Sequence, residues 1–247
     1  MSEATASSGQ RQARSTFAAL YVLLLRMQVT PLRVAGIAAL GAVAVALALA
    51  TRTSDDPVRS TTEVALGYGL SFVLPLATLW LATSCVGDLL EDRLVAYLWL
   101  KPVPRWQLPA AALLTTSTIV VPLVAVPLVL AAVVAGTEEL VGALLLASIV
   151  AVLAYSGLFV AAGLFFRRAL WLGLFYVLVW ENGLARVIEG VARLSIASYT
   201  QTLVADAADV RVAFADRAPT ASVVVPLVVA FAGFAIAMAR YRRAEID

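Results

Sequence analysis

The chain has 247 residues, of which 62 % are hydrophobic and 14 % are charged, and its formal net charge is +2. There is no histidine, and Cys85 is the only cysteine, which excludes an internal disulfide, His- or Cys-based metal sites and His-dependent catalysis. Several uncharged stretches exceed the roughly 20 residues that a helix needs to cross a hydrocarbon layer. The composition therefore predicts an all-α polytopic membrane protein that forms one transmembrane domain over residues 1–247. We expect it to contact membrane lipids and not to bind nucleic acid.

The polar first 15 residues are predicted to be disordered. Residues 16–29 then place Phe17, Tyr21 and Leu24 at helical spacing. This pattern predicts an interfacial helix on the inner membrane surface, before Pro31 turns the chain into the membrane.

Uncharged stretches predict six transmembrane helices. The fifth is short, because only twelve uncharged residues separate Arg168 from Glu181, and we expect it to continue towards Ala185 in order to cross. Pro75, Pro122 and Pro127 are predicted kinks or hinges. The predicted spans are about 34–50, 64–86, 108–135, 140–166, 169–185 and 221–238.

The distribution of basic residues predicts the topology. With the N-terminus inside, the inner segments hold twelve of the 18 Lys and Arg residues and the outer segments hold six. The positive-inside rule then puts both termini in the cytoplasm. Arginine outnumbers lysine 17 to 1, which is typical of a GC-rich genome, and we expect the chain in a bacterial cytoplasmic membrane. Residues 183–217 become an outer amphipathic segment between the fifth and sixth spans.

A short charged segment separates the second and third predicted spans. Residues 88–101 predict an amphipathic helix, because acids lie in its first turn and a cation lies at its end, where Pro102 and Pro104 stop it. One interpretation is an ordinary cytoplasmic loop. The other is a protein-docking surface, because Tyr97 and Trp99 place large rings on a stiff helix. The first-turn acids are Asp88, Glu91 and Asp92, and the apolar stripe is Leu90, Leu94, Tyr97 and Leu98.

Seven residues of this segment follow the order Glu-x5-Tyr-Leu-x2-Lys-Pro-Val-x-Arg, as Glu91, Tyr97, Leu98, Lys101, Pro102, Val103 and Arg105. The order resembles the cytoplasmic loop of permease subunits of ATP-binding-cassette (ABC) transporters of the type-2 permease family. Many members have a Gly-Thr pair after the glutamate, where this chain has Arg93 and Leu94. Residues 166–181 and 194–203 resemble the family's junction between spans four and five and its outer segment before the last span.

The resemblance implies a partner and a division of labour. In the family this loop inserts a coupling helix into a groove on a separate ATPase subunit, which binds the ATP and Mg²⁺, and the permease pairs with a second copy or a paralogue. The assembly would export a substrate, here hydrophobic or amphiphilic. The expected ATPase-coupling residues are Asp88, Glu91, Asp92, Arg93, Leu94, Tyr97, Leu98, Lys101, Pro102 and Arg105.

The sequence agrees with an ATPase on another chain. The phosphate-binding G-x-x-x-x-G-K-[ST] loop needs a Gly-Lys step, and the only lysine of the chain follows Leu100. We therefore expect this chain to have no cofactor and no enzymatic activity by itself.

Polar residues within the predicted spans are candidates for the transport pathway or its gate. A carboxylate at membrane depth marks a functional site by default, which singles out Glu181 and Asn182. The alternative is a helix break at Gly183, with Glu181 in water or paired with Arg186. A hydroxyl patch in the third span, with Pro122 beyond it, either lines the pathway or bonds to carbonyls and neighbouring helices. The patch is Thr115, Thr116, Ser117 and Thr118.

Two other functions are alternatives. An ion-coupled transporter would use acids within its spans and internal repeats, but only Glu181 comes near the membrane interior and no repeat is visible. An intramembrane lipid-modifying enzyme would need two acidic clusters on one cavity. The candidates for those clusters, Asp88 with Asp92 and Asp55 with Asp56, are predicted on opposite membrane faces.

Overall fold

The computed structural model describes residues 16–91, 104, 106–210 and 217–243. Within these ranges the chain forms helices and no strands, and five helices are long and apolar enough to cross a membrane. The prediction of an all-α, multi-pass membrane protein is therefore confirmed at this level. The five are Pro31–Thr51, Pro57–Gly87, Gln107–Ala135, Glu138–Phe165 and Pro219–Arg240.

Helix α1, Thr16–Gln28, precedes α2, Pro31–Thr51. The two are separated by a turn at Thr30, whose side chain accepts a hydrogen bond from the backbone N–H of Arg33. Pro31 occupies the first turn of α2, where its missing N–H has no cost. The predicted turn from a short amphipathic helix into the first span is thus present.

The second and third spans each contain a π-helical stretch. The second consists of α3, Pro57–Val64, the π-helix Ala65–Val73 and α4, Leu74–Glu91. The first four residues of the predicted coupling helix, 88–91, continue α4, and the others, 92–101, lie outside the described residues, as does Arg105. The third span consists of α5, Gln107–Val120, the π-helix Val121–Ala125 and α6, Val126–Ala135.

The fourth span is the continuous helix α7, Val141–Phe165. The last span is also continuous, and its helix, Pro219–Arg243, is named α11. Between them the predicted fifth span has a different form. Helix α8, Ala169–Phe175, continues as the π-helix Tyr176–Glu181 and ends there. These 13 residues cover only about 20 Å at 1.5 Å per residue, so this element is not among the five long helices, and a sixth span through residues 169–185 stays a prediction.

The chain after Glu181 returns in short helices. A 3₁₀ turn, Leu184–Arg186, and α9, Glu189–Ala192, are followed by α10, Ile196–Ala207. The predicted outer segment thus has two parts. The first exposes Val187 and Leu194, as an interfacial segment does, whereas α10 is buried against α7, the π-helix Ala65–Val73 and α11. The end of the predicted segment, residues 211–216, lies outside the described residues.

Helix α7 is the centre of the bundle, in contact with α4, α5, α10 and α11. In the spans containing α4 and α7, 67 % of the most apolar window is buried, against 28 % for α2 and 22 % for α11. The outer faces of α2 and α11 carry exposed Leu, Val and Phe side chains, which is the surface that a bilayer or a second membrane subunit covers.

The contacts divide the loops between two ends of the bundle. At one end Phe17 of α1 stacks on Trp106, Val86 lies against Gly163, and Arg240 lies over Phe165. At the other end Thr51 hydrogen-bonds Thr61 at 2.9 Å. The first group belongs to the predicted inner segments and the second to the predicted outer ones. Which end faces the cytoplasm stays a prediction.

Glycines allow α7 and α11 to approach closely. A Cβ added at Gly157 would lie 2.5 Å from the carbonyl oxygen of Ala230, and one at Gly233 would strike the carbonyl of Gly157. These contacts are to backbone atoms, which cannot move aside as a flexible side chain can. Close backbone approach through small residues is a common way for membrane helices to associate.

We predict that Gly157→Ala separates α7 from α11 and lowers the free energy of unfolding by about 1–3 kcal/mol, as overpacking does. Gly142→Ala is the control, since the same helix has open space around Gly142. Gly142 lies in the first turn of α7, so the gain in helix propensity is larger at Gly157 and works against the predicted loss. Thermal unfolding of the purified full-length protein in detergent measures the difference. Equal midpoints for the two variants would contradict the close approach.

Candidate functional site

The carboxylate of Glu181 lies inside the bundle, with only 3 % of the residue exposed. Its Oε1 accepts hydrogen bonds from the Tyr176 hydroxyl at 2.6 Å and from the backbone N–H of Ile196 at 3.0 Å. Its Oε2 accepts from the backbone N–H of Ala197 at 3.2 Å and from the Ser195 hydroxyl. Four donors thus surround one acceptor group.

Two of these donors belong to the first turn of α10. Helix N-termini expose N–H groups that have no partner in their own helix, and the helix dipole makes them attractive to negative charge. Ser195 is the N-cap of α10, and its hydroxyl oxygen also accepts from the N–H of Ser198. Glu181 therefore completes the cap from another element of the fold.

A second set of hydrogen bonds joins the end of the π-helix Tyr176–Glu181 to the second span. The Asn182 amide donates to the backbone carbonyls of Ser71, at 2.8 Å, and Val177, at 2.9 Å. The Gln201 amide of α10 donates to the Ser71 hydroxyl oxygen at 2.5 Å. The Arg186 guanidinium donates to the side-chain amide oxygen Oδ1 of Asn182 at 3.0 Å, so the predicted alternative of a Glu181–Arg186 ion pair is not what the side chains form.

Two neighbours show how deep this cluster lies. Ser71 is close to the midpoint of the span Pro57–Gly87. Tyr155, which lies next to Glu181 and is fully buried, is near the middle of α7. The cluster of Glu181, Tyr176, Ser195 and the first turn of α10, called here the carboxylate cluster, is therefore well inside the helical bundle.

The carboxylate cluster can hold two half-length helices together. Removing a carboxylate from water is costly, and four hydrogen bonds offset that cost. The positive end of α10 and the donated protons also disfavour a cation at the same oxygens. Within the described part of the chain, no group of three or more acidic or Cys side chains could hold a metal ion.

The hydroxyl patch of the third span has mostly local partners. Thr116 and Ser117 each donate to the carbonyl oxygen one turn back, at 2.9 Å. Thr118 accepts from the Tyr21 hydroxyl of α1 at 3.1 Å, whereas the buried Thr115 hydroxyl makes no hydrogen bond within the described residues. Two of these hydroxyls thus bond within their own helix and one joins α1 to α5, while lining of a transport path stays a prediction. Pro122 belongs to the π-helix Val121–Ala125 and is exposed.

The flanks of the predicted coupling segment are described, although most of the segment is not. Its beginning continues α4 to Glu91. Its end leads into Trp106, whose ring stacks on Phe17 with centroids 5.6 Å apart. Together with the Tyr21–Thr118 hydrogen bond, this stack fastens α1 across the start of the third span. We call α1 and its contacts with α5 the end platform.

Glu181 and Asn182 could be identified from the sequence, whereas their partners Tyr176, Ser195 and Ser71 could not. One signal was available, because Ser195 directly precedes α10, and serine is a preferred N-cap residue. No sequence spacing indicated that the acid capping this helix would come from position 181.

No protein-family model matches the chain, and no curated protein matches it in sequence.

We predict that Glu181→Ala lowers the free energy of unfolding by at least about 3 kcal/mol, because it leaves two N–H groups and two hydroxyls without an acceptor in a buried site. Glu181→Gln should cost less, since its amide oxygen still accepts while its NH₂ group faces a donor. Denaturation of the purified protein in detergent measures both.

The control for the loss of an acid is Glu189→Ala. Glu189 pairs with Arg193 at 2.7 Å on the exposed α9, where both side chains are more than half exposed, and such pairs contribute about 1 kcal/mol or less. If Glu181→Ala were no more destabilising than Glu189→Ala, the carboxylate cluster would not hold the fold together.

Proposed function

We propose that the chain is the membrane-spanning subunit of an ABC exporter, which moves a hydrophobic or amphiphilic substrate across the bacterial cytoplasmic membrane. The resemblance of the charged segment to the type-2 permease loop supports this proposal, as does the all-helical architecture. In this proposal a separate ATPase subunit binds ATP and Mg²⁺ and supplies the energy.

The end platform is the observation on which the proposal depends most. A segment that receives force from an ATPase must be attached to stiff elements, since a loose loop would absorb the movement. Residues 92–105 connect α4 directly to α5, and α5 carries α1 through the Phe17–Trp106 stack and the Tyr21–Thr118 hydrogen bond. Movement of the segment would therefore move two spans and the platform together.

The π-helical stretches supply places where these spans can bend. The π-helix Ala65–Val73 lies directly before Pro75, and the π-helix Val121–Ala125 contains Pro122. Single-turn π-helices and prolines interrupt the regular hydrogen-bond ladder and often occur at functional hinges. Rigid-body rotation of the platform about these two points is the conformational change that we propose for coupling.

A second permease copy or paralogue would cover exposed apolar helix faces. Trp171 and Phe175 of α8 are 69 % and 64 % exposed, next to the broken end of that element. A dimer that meets along such faces would enclose a path between two subunits, with lipid on the remaining surface.

The ion-coupled transporter is the second candidate, and the buried Glu181 carboxylate is the observation that favours it. Against it, both carboxylate oxygens already accept protein hydrogen bonds, beside the positive end of α10. Measuring transport while ATP is depleted and the ion gradients are clamped distinguishes the two. ATP-driven export predicts loss of transport, whereas ion coupling predicts that transport continues.

We predict that Tyr97→Glu or Arg105→Glu weakens association with the ATPase encoded in the neighbouring reading frame at least tenfold and abolishes the stimulation of ATP hydrolysis by the permease. A charge placed in a buried protein contact, or reversed there, leaves a group without a partner. Co-purification and ATPase assays on the complex in lipid nanodiscs provide the measurement.

The matched control is Arg52→Glu, which reverses an exposed arginine at the opposite end of the bundle. It should leave association and ATP hydrolysis at the wild-type level. Unchanged association and coupling in both Tyr97→Glu and Arg105→Glu would rule out docking through residues 88–105.

A further inference from the structure

A cavity of about 180 Å³ lies beside the carboxylate cluster. Glu181 and Ser195 line its buried part, since each is at most 3 % exposed, and Arg186 lines its exposed part. Ala197 of α10 and Gln201, one turn further on, complete the wall. The cavity therefore extends from the protein surface to a charged group in the middle of the bundle.

The size and lining of the cavity favour water. A water molecule takes about 30 Å³ in the liquid, so the volume is that of about six molecules. Apolar cavities stay empty, whereas a polar one fills when each water finds two to four partners. Here a carboxylate, a hydroxyl, a side-chain amide and a guanidinium group supply such partners.

Water in the cavity would reach the buried carboxylate itself, since Glu181 lines the wall and is only 3 % exposed. Hydration of the carboxylate cluster would also lower the cost of keeping a charge at this depth.

We propose that this cavity is a water-filled pocket, open at Arg186, that admits small hydrophilic molecules to the Glu181 carboxylate inside the membrane. Its volume and donors fit a small polar group, such as the head group of an amphiphile, and exclude a bulky apolar one. The pocket needs no ATPase, so the proposal does not depend on the ABC assignment.

Cysteine labelling of the full-length protein in its membrane tests the pocket. Cys85, which is buried, is first replaced by alanine, and Ala185→Cys or Ala197→Cys then places a single thiol on the cavity wall. The cysteine thiolate attacks the sulfenyl sulfur of a methanethiosulfonate reagent, which forms a mixed disulfide and releases methanesulfinate, and a thiol in apolar surroundings ionises far less readily. The rate of reaction therefore measures water at the site.

The matched control is Ala205→Cys. Ala205 lies two turns further along α10 and is as buried as Ala197, at 4 % against 3 %, but it does not line the cavity. Reaction with a sulfonate reagent and with a trimethylammonium reagent, both membrane-impermeant, is followed in intact cells and in inverted vesicles. Because one reagent is anionic and the other cationic, a difference in rate that both show is not due to the local electrostatic potential. Intact cells and inverted vesicles expose opposite faces of the membrane, so the cavity is tested from both sides.

We expect the thiols at 185 and 197 to react at least tenfold faster than the one at 205, from one side of the membrane. Rates within tenfold of the Ala205→Cys rate on both sides would overturn the proposal and show a dry cavity. The Ala185→Cys variant, outside α10, keeps the test valid if Ala197→Cys disturbs that helix. Failure of ATPase binding with fast labelling would count against the exporter alone.

Discussion

The fold depends on one constraint, that a backbone interrupted inside a membrane must find its hydrogen-bond partners within the protein. The chain breaks between the π-helix Tyr176–Glu181 and α10, which leaves free N–H groups at the start of α10. Glu181 satisfies two of them, and the adjacent Asn182 bonds to carbonyl oxygens of the π-helical stretches. The hydrogen bonds of these two consecutive polar residues thus offset the cost of interrupting the backbone ladder, and the half-length helices on either side can remain in the bundle.

The same cluster explains why α7 is the central helix. Gly157 lets α11 approach its backbone on one side, while Tyr155 lies against Glu181 on another. Tyr155, Phe159 and Tyr176 form a chain of ring contacts, with centroids 5.7 and 6.2 Å apart. Gly157, Tyr155 and Phe159 of α7 therefore connect α11 with the π-helix Tyr176–Glu181. A structural change at Glu181 would be transmitted to α11 through these contacts.

Hydropathy predicted the five long helices, the short helix α1 and the turn at Pro31, because burial in lipid imposes a simple requirement on residues that are close in sequence. The placement of α1 on the membrane surface stays a prediction. The hydrogen bonds of Glu181 to Ser195 and of Asn182 to Ser71 could not be predicted in this way, since these residues meet only through tertiary packing. The π-helical stretches were missed for a similar reason. The prolines at 75 and 122 predicted an irregular helix at these positions, but the sequence does not distinguish a proline kink from the wider turn of a π-helix. The shortness of residues 169–181 was visible, yet helix α10, rich in Ser, Thr and Ala, resembled a surface segment more than a buried one.

Broken helices in transport proteins place half-helix N-termini near the membrane midplane, where they face anionic groups of the substrate. Here the protein provides that anion itself, through Glu181. An occupied N-terminus has two consequences. It holds the two half-length helices together. In the exporter that we propose, an incoming polar head group that bonded to the first turn of α10 would displace the carboxylate. The end platform lies at the opposite end of α4 and α5, and both reach the interior through π-helical stretches. A movement there and a displacement at Glu181 would thus act on the same second span, whose Ser71 is bonded to Asn182 and Gln201.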